Sequence, residues 1–280
     1  MLSRQTVAGG NGVLLRNLTV VSVLVFSVPA LAADRVVVPE ATFPMGCSLG
    51  DPACDADEGP VGGTPVRVPA FAIDRNEVTV EQYRACVSDG RCTAPLTNRD
   101  NQYCNYDHPE RDQHPVNCVD WSQAVAYCAS AAGRLPTEPE WERAARAGSV
   151  SRYPWGQEVS CREAILDEVS PAPSQREPDG CYTDATWVVA SRPANALGLH
   201  DMHGNVGEWT SAWYGPRAIA ELYAQGDLAG PPQGRQRVVR GGSWDEDRLN
   251  LRSSLRNVKP PRQGEAIYGS VGFRCAADID

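Results

Sequence analysis

Residues 198–210 read GLHDMHGNVGEWT, and this stretch decides how the rest of the chain is organised. Gly204 allows the backbone to turn sharply, because glycine has no side chain to clash. Asn205 and Glu208 carry oxygen atoms three residues apart. An amide, a carboxylate and free carbonyls on one turn are ligands that a hard cation such as calcium prefers. The stretch therefore predicts a cation-binding turn, with the later segment 240–244, RGGSW, folded beside it.

The N-terminal segment has the composition of an export signal. Two arginines accompany an apolar run over residues 18–28, and the small residues at 30–32 fit a cleavage site. The apolar run is too short to span a membrane comfortably. We expect residues 1–32 to be removed and residues 33–280 to form one domain, periplasmic or extracellular, with no stable membrane anchor. An uncleaved anchor helix is the alternative.

The net charge of the chain limits the kinds of partner that it is expected to bind. The 280-residue chain carries a formal net charge of −9, and loss of the predicted signal would make it more negative. Nucleic-acid binding depends on a basic surface that neutralises phosphates, so we expect no nucleic-acid partner. The partners that we still expect are an exported protein or a small ligand.

All ten cysteines lie beyond the predicted cleavage site. An even number in an exported chain indicates disulfides rather than zinc, and no C-x-x-C pair is present. Near neighbours suggest the pairs Cys47–Cys54, Cys86–Cys92, Cys104–Cys118 and Cys161–Cys181. This leaves Cys128 and Cys275, and a bond between them would join the middle of the chain to its end. Closing so long a loop contributes roughly 4 to 5 kcal/mol in the chain-entropy model.

Few regular elements are predicted. The expected strands are residues 36–39, 41–46, 66–74, 237–240 and, more briefly, 249–252. Thr79, Asp120 and Thr137 each begin a capping-box pattern, which predicts three helix starts. Residues 149–193 and 211–236 show no periodic pattern, and we expect irregular backbone there. Such a chain depends on disulfides, buried tryptophans or ions for its stability.

A set of motifs follows in a fixed order along the chain. They are PVNCVDW at 115–121, AVAYC at 124–128, GRLPTEPEWE at 133–142, YPWG at 153–156, NALGLHDMHGNV at 195–206, RGGSW at 240–244 and GFRC at 272–275. Together they resemble the formylglycine-generating enzyme (sulfatase-modifying factor) family over about residues 36–280. The resemblance implies a single α+β domain, a variant of the C-type lectin fold with little regular secondary structure.

The resemblance also implies two stabilising features. One is a bound calcium ion at the glycine turn, with the side chains of Asn205 and Glu208 and the carbonyls of Val206 and Thr210 as ligands. Under the alternative, these side chains only satisfy buried backbone groups. The other is the Cys128–Cys275 disulfide, because the family joins the cysteine of its Ala-Tyr-Cys helix to that of Gly-Phe-Arg-Cys.

The chain departs from the family at the reaction centre. Formylglycine-generating enzymes bind Cu(I) through two thiolates just after Gly-Gly-Ser and oxidise a substrate cysteine to formylglycine; soft thiolates suit Cu(I). Here residues 244–251, WDEDRLNL, contain no cysteine. We therefore expect neither copper nor this reaction. The cleft in this position would be rimmed by Ser243, Trp244, Asp245 and Glu246.

Three functional hypotheses remain open. The first, which we favour, is a non-catalytic exported domain that binds a protein or ligand in this cleft. The second is an enzyme with different chemistry, because relatives of the domain occur in an iron-dependent sulfoxide synthase and in a periplasmic pyoverdine-maturation protein. The third is a structural or surface module.

Two basic residues are also singled out. Arg274 is expected to be buried and paired with a carboxylate such as Glu138 or Glu140. Lys259, the only lysine of the chain, stands beside two prolines and is predicted to lie in a loop.

Overall fold

The computed structural model describes residues 1, 9, 34–96, 102–167, 179–180, 183–262 and 268–279. The chain divides into two compact units, Met1–Leu31 and Ala32–Asp280. The helices and strands described below belong to the second unit. The predicted export signal, residues 1–32, falls almost wholly outside the described residues. Within the described ranges, no helix combines the length and apolar character needed to cross a membrane.

Short strands and helices alternate with long irregular segments. The strands are β1 (Arg35–Val38), β2 (Ala41–Met45), β3 (Thr64–Val68), β4 (Phe71–Asp74), β5 (Gly207–Trp213), β6 (Arg237–Arg240), β7 (Asn257–Lys259), β8 (Val271–Gly272) and β9 (Ala276–Asp278). The α-helices are α1 (Val80–Ser88), α2 (Trp121–Ser130), α3 (Glu138–Arg146) and α4 (Ala218–Glu221). Single 3-10 turns lie at Ala56–Glu58, Pro109–Arg111, Tyr223–Gln225 and Arg248–Leu251.

The strands form three small sheets, ordered β1-β4-β9, β2-β3 and β7-β6-β5-β8. In the third sheet, β8 runs parallel to β5, whereas the other pairs are antiparallel. Glu208 of β5 lies opposite Arg240 of β6 on one side and Gly272 of β8 on the other. Three motifs that are far apart in the sequence therefore meet on neighbouring strands.

All three predicted helix starts are confirmed. Thr79 precedes α1, Asp120 precedes α2 and Thr137 precedes α3, and each side chain accepts a hydrogen bond from the backbone N–H three residues later. The residue in that third position is Gln or Glu, and its side-chain oxygen accepts a hydrogen bond from the N–H of the capping residue. This reciprocal pair satisfies two N–H groups that the first helical turn cannot.

Three expectations about strands are wrong. Residues 66–74 form two strands, β3 and β4, rather than one. Residues 249–252 belong mostly to a 3-10 turn, because the Asp247 side chain caps the N–H groups of Leu249 and Asn250. The irregular segment begins later than expected, because β5 continues beyond Thr210 to Trp213.

Helix α3 lies at the centre of the domain, and all nine of its residues are buried. Trp141 of this helix and Trp209 of β5 are both fully buried. Glu138 of α3 accepts hydrogen bonds from Arg240 at 2.8 Å and from Arg256 at 2.7 Å. Buried charges are tolerated when they are paired in this way. The core therefore combines large apolar rings with ion pairs.

Four of the five predicted disulfides are confirmed: Cys47–Cys54, Cys86–Cys92, Cys104–Cys118 and Cys128–Cys275. Cys161 is also disulfide-bonded. Its expected partner, Cys181, lies outside the described residues. Among the described cysteines none is free.

Candidate functional site

The glycine turn and the RGGSW segment are joined by backbone hydrogen bonds. The N–H of Gly204 donates to the carbonyl of Gly241 at 2.9 Å, and the N–H of Trp244 donates to that of Asn205 at 3.0 Å. Gly204 has φ +79°, and a Cβ there would lie 2.2 Å from the carbonyl oxygen of Ile165. Only glycine fits this approach. The turn therefore holds the cleft segment in place.

The side chain of Asn205 is used entirely within the protein. Its Oδ1 accepts from the N–H of Trp187 at 2.8 Å, and its Nδ2 donates to Glu77 Oε2 at 2.7 Å and to the carbonyl of Trp187 at 3.2 Å. Asn205 itself has φ +59°. The side chain thus fixes the turn against two other segments.

Glu208 is also engaged. Its carboxylate accepts from Arg274 Nη2 at 2.6 Å and from Trp141 Nε1 at 2.7 Å, and all three side chains are buried. The expectation that Arg274 is buried and paired is confirmed, but Glu138 and Glu140 are not its partners. Those two carboxylates pair with Arg240 and Arg134 instead.

These contacts compete with calcium for the expected ligands. Besides Asn205 and Glu208, the carbonyl of Thr210 is occupied, since it accepts from Trp121 Nε1 at 2.8 Å. Within the described part of the chain, no group of three or more His, Cys, Asp or Glu side chains is arranged to hold a metal. In this arrangement the side-chain oxygens of Asn205 and Glu208 and the carbonyl of Thr210 are therefore all used within the protein.

Two acidic residues that the sequence did not single out as ligands lie beside this pair. Glu77 accepts from the N–H of Val206 at 3.1 Å, and Asp201 accepts from the N–H of Ala190 at 2.6 Å. Burial raises the pKa of Glu77 well above its usual value, and the charges of Asp201 and Glu208 raise it further. Burial also raises the pKa of Asp201. Together with Glu208 they surround Arg274, which forms a buried charge network rather than an open site.

The cleft segment begins with Gly241 and Gly242, at φ +98° and +69°. This turn buries Ser243, which is 1% exposed. Trp244 is buried and stacks on Tyr103 with ring centroids 5.2 Å apart. Asp245 is exposed. Of the four predicted cleft residues, Ser243 and Glu246 line the cavity and the other two lie beside it.

The cavity is small, about 10 Å³, which is room for roughly one water molecule. Asn257, Lys259 and Ser270 complete its polar lining with Ser243 and Glu246. Asn257 Nδ2 donates to Glu246 Oε1 at 3.1 Å. Burial raises the pKa of Glu246, while the nearby Lys259 partly offsets this effect. The cavity thus brings one carboxyl and one ammonium group to the same small space.

Sequence reasoning missed Asn257 and Lys259. Lys259 was expected in a loop, but it lies in β7, whose pairing with β6 turns both side chains to the cavity. The signal for β7 is weak, because NVK is only three residues long and is followed by two prolines.

The donor chemistry of the cleft does not fit Cu(I). The polar lining consists of hydroxyl, carboxyl, amide and ammonium groups, none of which is a soft ligand. Every described cysteine is in a disulfide. The described residues of the cleft therefore do not supply a thiolate pair.

The chain is similar in sequence to several proteins that are named as enzymes. It is 33% identical to the formylglycine-generating enzyme of Thermomonospora curvata, covering 89% of this chain and 94% of that protein. It is 35% identical to the hercynine oxygenase of Mycolicibacterium thermoresistibile (90% and 60%) and 34% identical to the serine/threonine-protein kinase Pkn1 of Chlamydia trachomatis (89% and 39%). The chain therefore spans less than two thirds of the oxygenase and of the kinase.

Solved structures support the same assignment. PvdO from Pseudomonas aeruginosa superposes with a TM-score of 0.67 at 27% identity, covering 88% of this chain and 94% of that one. CarF superposes with a TM-score of 0.58 at 25% identity, covering 89% and 99%. The expected α+β fold with little regular structure is confirmed. Residues 23–279 match the sulfatase-modifying factor enzyme 1-like domain, so the chain belongs to the formylglycine-generating enzyme (sulfatase-modifying factor) family.

Proposed function

We propose that this family member is an exported domain whose cleft binds a small polar ligand, or an end group of a partner protein, without copper–thiolate chemistry. One observation carries the proposal. The cavity beside the Gly-Gly-Ser turn presents Glu246 and Lys259, while the described cysteines are all used in disulfides. Polar groups that converge on a concave site are typical of binding sites.

Export is supported by the cysteine chemistry. Disulfides persist in oxidising compartments and are rare in the cytosol. Four are described, and they tie together segments from Cys47 to Cys275. Together with the predicted signal at residues 1–32, they favour a periplasmic or extracellular location.

A peptide assay tests the chemical half of the proposal. The purified domain, supplied with copper and a peptide containing Cys-x-Pro-x-Arg, should yield no formylglycine above a no-enzyme control, as measured by mass spectrometry. A clear aldehyde product would overturn it.

Ligand capture tests the binding half. The exported protein is purified under native conditions and analysed for bound small molecules or partners, in parallel with Glu246→Gln and with Glu221→Gln. Glu221 is an exposed residue of α4 and serves as the matched control. A ligand present in wild type and Glu221→Gln, and lost in Glu246→Gln, supports the cleft. Equal occupancy in all three would contradict it.

A second function is catalysis by a polar pair in the cleft. Glu246 and Lys259 line the same cavity, and burial raises the pKa of Glu246 while Lys259 opposes that shift, so the pair could take part in proton transfer. An enzyme of this kind would fit the relationship to hercynine oxygenase, whose name denotes a reaction other than formylglycine formation. The same capture experiment separates the two functions, since a bound molecule that changes in mass with time indicates catalysis.

A further inference from the structure

We propose that Arg237, held between the rings of Trp121 and Trp213, binds a doubly charged oxyanion, the chemistry that phosphate and sulfate groups share. These three side chains are called the Trp-Arg-Trp stack below. None of them lines the cleft cavity beside the Gly-Gly-Ser turn. The inference therefore adds a second site to the proposed function and does not depend on it.

The third sheet and helix α2 together build the stack. Arg237, the first residue of β6, lies opposite Trp213 of β5, and Trp121 is the first residue of α2. The guanidinium carbon Cζ of Arg237 lies 3.6 Å from the ring centroid of Trp121 and 3.5 Å from that of Trp213. At these distances a planar guanidinium fits only when it lies flat against both rings. The group is therefore held in one orientation.

Some hydrogen-bond donors of the stack have no acceptor. Arg237 is 9% exposed, and its Nη1 donates to the carbonyl of Ser211 at 2.6 Å. Its Nε is enclosed without an acceptor, whereas Nη2 makes no hydrogen bond among the described residues and is not enclosed. The indole N–H of Trp121 donates to the carbonyl of Thr210. That of Trp213 has no acceptor within the described ranges. Unused donors therefore remain at the edge of the stack.

The positive charge of Arg237 is not neutralised within the described part of the chain. No carboxylate there forms an ion pair with it, and burial lowers its pKa to about 10 with no acid opposing the shift. By contrast, Arg240, Arg256 and Arg274 each pair with a carboxylate. Contact with aromatic faces stabilises a cation but leaves its N–H donors unsatisfied. An anion from outside would supply both the charge and the acceptors.

Two more arginines favour an anion with two charges. Arg235 and Arg262 are both exposed. The glycine before Arg235 packs so closely on Trp213 that a Cβ there would lie 3.2 Å from Cε3 of the ring. The proline before Arg262 accepts a hydrogen bond from the backbone N–H of Trp121 at 3.0 Å. Each wall of the stack thus has an arginine beside it, and attraction to these cations doubles when the anion carries two charges.

NMR titration tests binding directly. The reporters are the Nε–H of Arg237, which the two rings should shield, and the indole N–H of Trp213. In the purified exported protein at constant ionic strength, inorganic phosphate should shift both signals to saturation, with a Kd of about 1 mM. Acetate should bind more weakly, and chloride should cause no shift. Equal shifts with chloride, or acetate binding as tight as phosphate binding, would overturn the proposal.

Variants show whether the guanidinium is responsible. Arg237→Met keeps an apolar side chain between the rings, and phosphate binding, followed at Trp213, should weaken at least tenfold because the charge-assisted bonds are lost. Arg217→Met is the matched control, since it removes an exposed arginine that pairs with Glu221 in α4. It should bind like the wild type. Unchanged binding to Arg237→Met would refute the site.

A second variant covers the case in which Arg237→Met does not fold, as judged by its melting curve. Arg237→Lys keeps the charge, but an ammonium group cannot lie flat against two rings and presents no planar fork. Phosphate should therefore bind Arg237→Lys more weakly than wild type. Equal binding would reduce the site to general attraction between charges and would contradict the role of the stack.

The oxyanion has two possible sources, a free ion or an ester group on a larger molecule. Methyl phosphate is doubly charged at about pH 8 and separates them. Binding as tight as that of inorganic phosphate supports an ester group, whereas much weaker binding supports the free ion. Sulfate should bind in either case, because the site needs two charges and no proton. If none of these anions binds, this inference fails and the proposed cleft function is unaffected.

Discussion

Glu208 and Arg274 form a fully buried ion pair, and each depends on the other for its charge to be tolerated. Glu208→Ala should destabilise the domain by about 3–5 kcal/mol, because it leaves the guanidinium of Arg274 unpaired. The paired change Glu208→Leu with Arg274→Met should recover most of that loss. Denaturant unfolding measures both, with Glu40→Ala as control, since the exposed Glu40–Arg67 pair contributes only about 0–1 kcal/mol. A small effect of Glu208→Ala would contradict the buried network.

The same contacts lead to an expectation about calcium. Because the oxygen atoms of Asn205 and Glu208 already accept hydrogen bonds, added calcium should leave the melting temperature of the wild type unchanged relative to a chelator. Calorimetry in both buffers, with elemental analysis of the purified protein, makes the measurement. A calcium-dependent rise that disappears in Asp201→Asn would place an ion among these acids after all.

His114 should make the domain sensitive to acid. Its ring packs edge-on against Trp187, and its Nδ1 lies 2.9 Å from Thr186 Oγ1. Burial, assisted by Arg111, lowers its pKa from 6.5 to about 4. Between these values the unfolded chain takes up a proton that the folded protein does not, so stability falls as pH falls through this window. Unfolding measured from pH 7 to 4 should be flatter for His114→Gln than for wild type, whereas His108→Gln, at a partly exposed ring, should follow the wild type.

At the scale of elements, local patterns were reliable and long-range ones were not. The starts of α1, α2 and α3 followed from residues three positions apart, because a capping box is satisfied within one turn. The extent of β5 could not be predicted in this way. Its seven residues are stabilised by pairing with β6 and β8, which lie tens of residues away in sequence.

The glycine turn before β5 can be tested against a matched glycine. Gly204 and Gly90 both have positive φ, but a Cβ at Gly204 meets the carbonyl oxygen of Ile165 at 2.2 Å, whereas one at Gly90 meets nothing within 4 Å. Gly90→Ala should therefore cost about 1–2 kcal/mol from backbone strain alone. Gly204→Ala should cost about 4 kcal/mol or more, because the backbone of two segments must also move apart. Denaturant unfolding of both variants decides, and similar losses would show that the close approach is not essential.

At the scale of the whole molecule, the sequence motifs predicted where the site lies but not all of the residues that form it. The segments 198–210 and 240–244 were recognised from their own residues, and they do meet. Glu77 and Lys259 reach the same region from positions with no local pattern, brought there by the fold. The contact of Glu77 with Asn205 spans 128 residues, and Lys259 shares its cavity with residues as distant as Gly207, so no short window of sequence contains these partners.

At the same scale, the disulfides stabilise a domain that has little regular secondary structure. Cys128–Cys275 closes a separation of 147 residues, whereas Cys86–Cys92 closes one of 6. In the chain-entropy model these loops contribute about 5 and about 2 kcal/mol, because cross-linking distant positions restricts the unfolded chain more. Replacing both cysteines of each pair by alanine should therefore lower the unfolding free energy substantially more for Cys128 and Cys275. Denaturant unfolding under non-reducing conditions measures the difference. Equal losses would mean that local packing, and not the length of the closed loop, sets the contribution of these bonds.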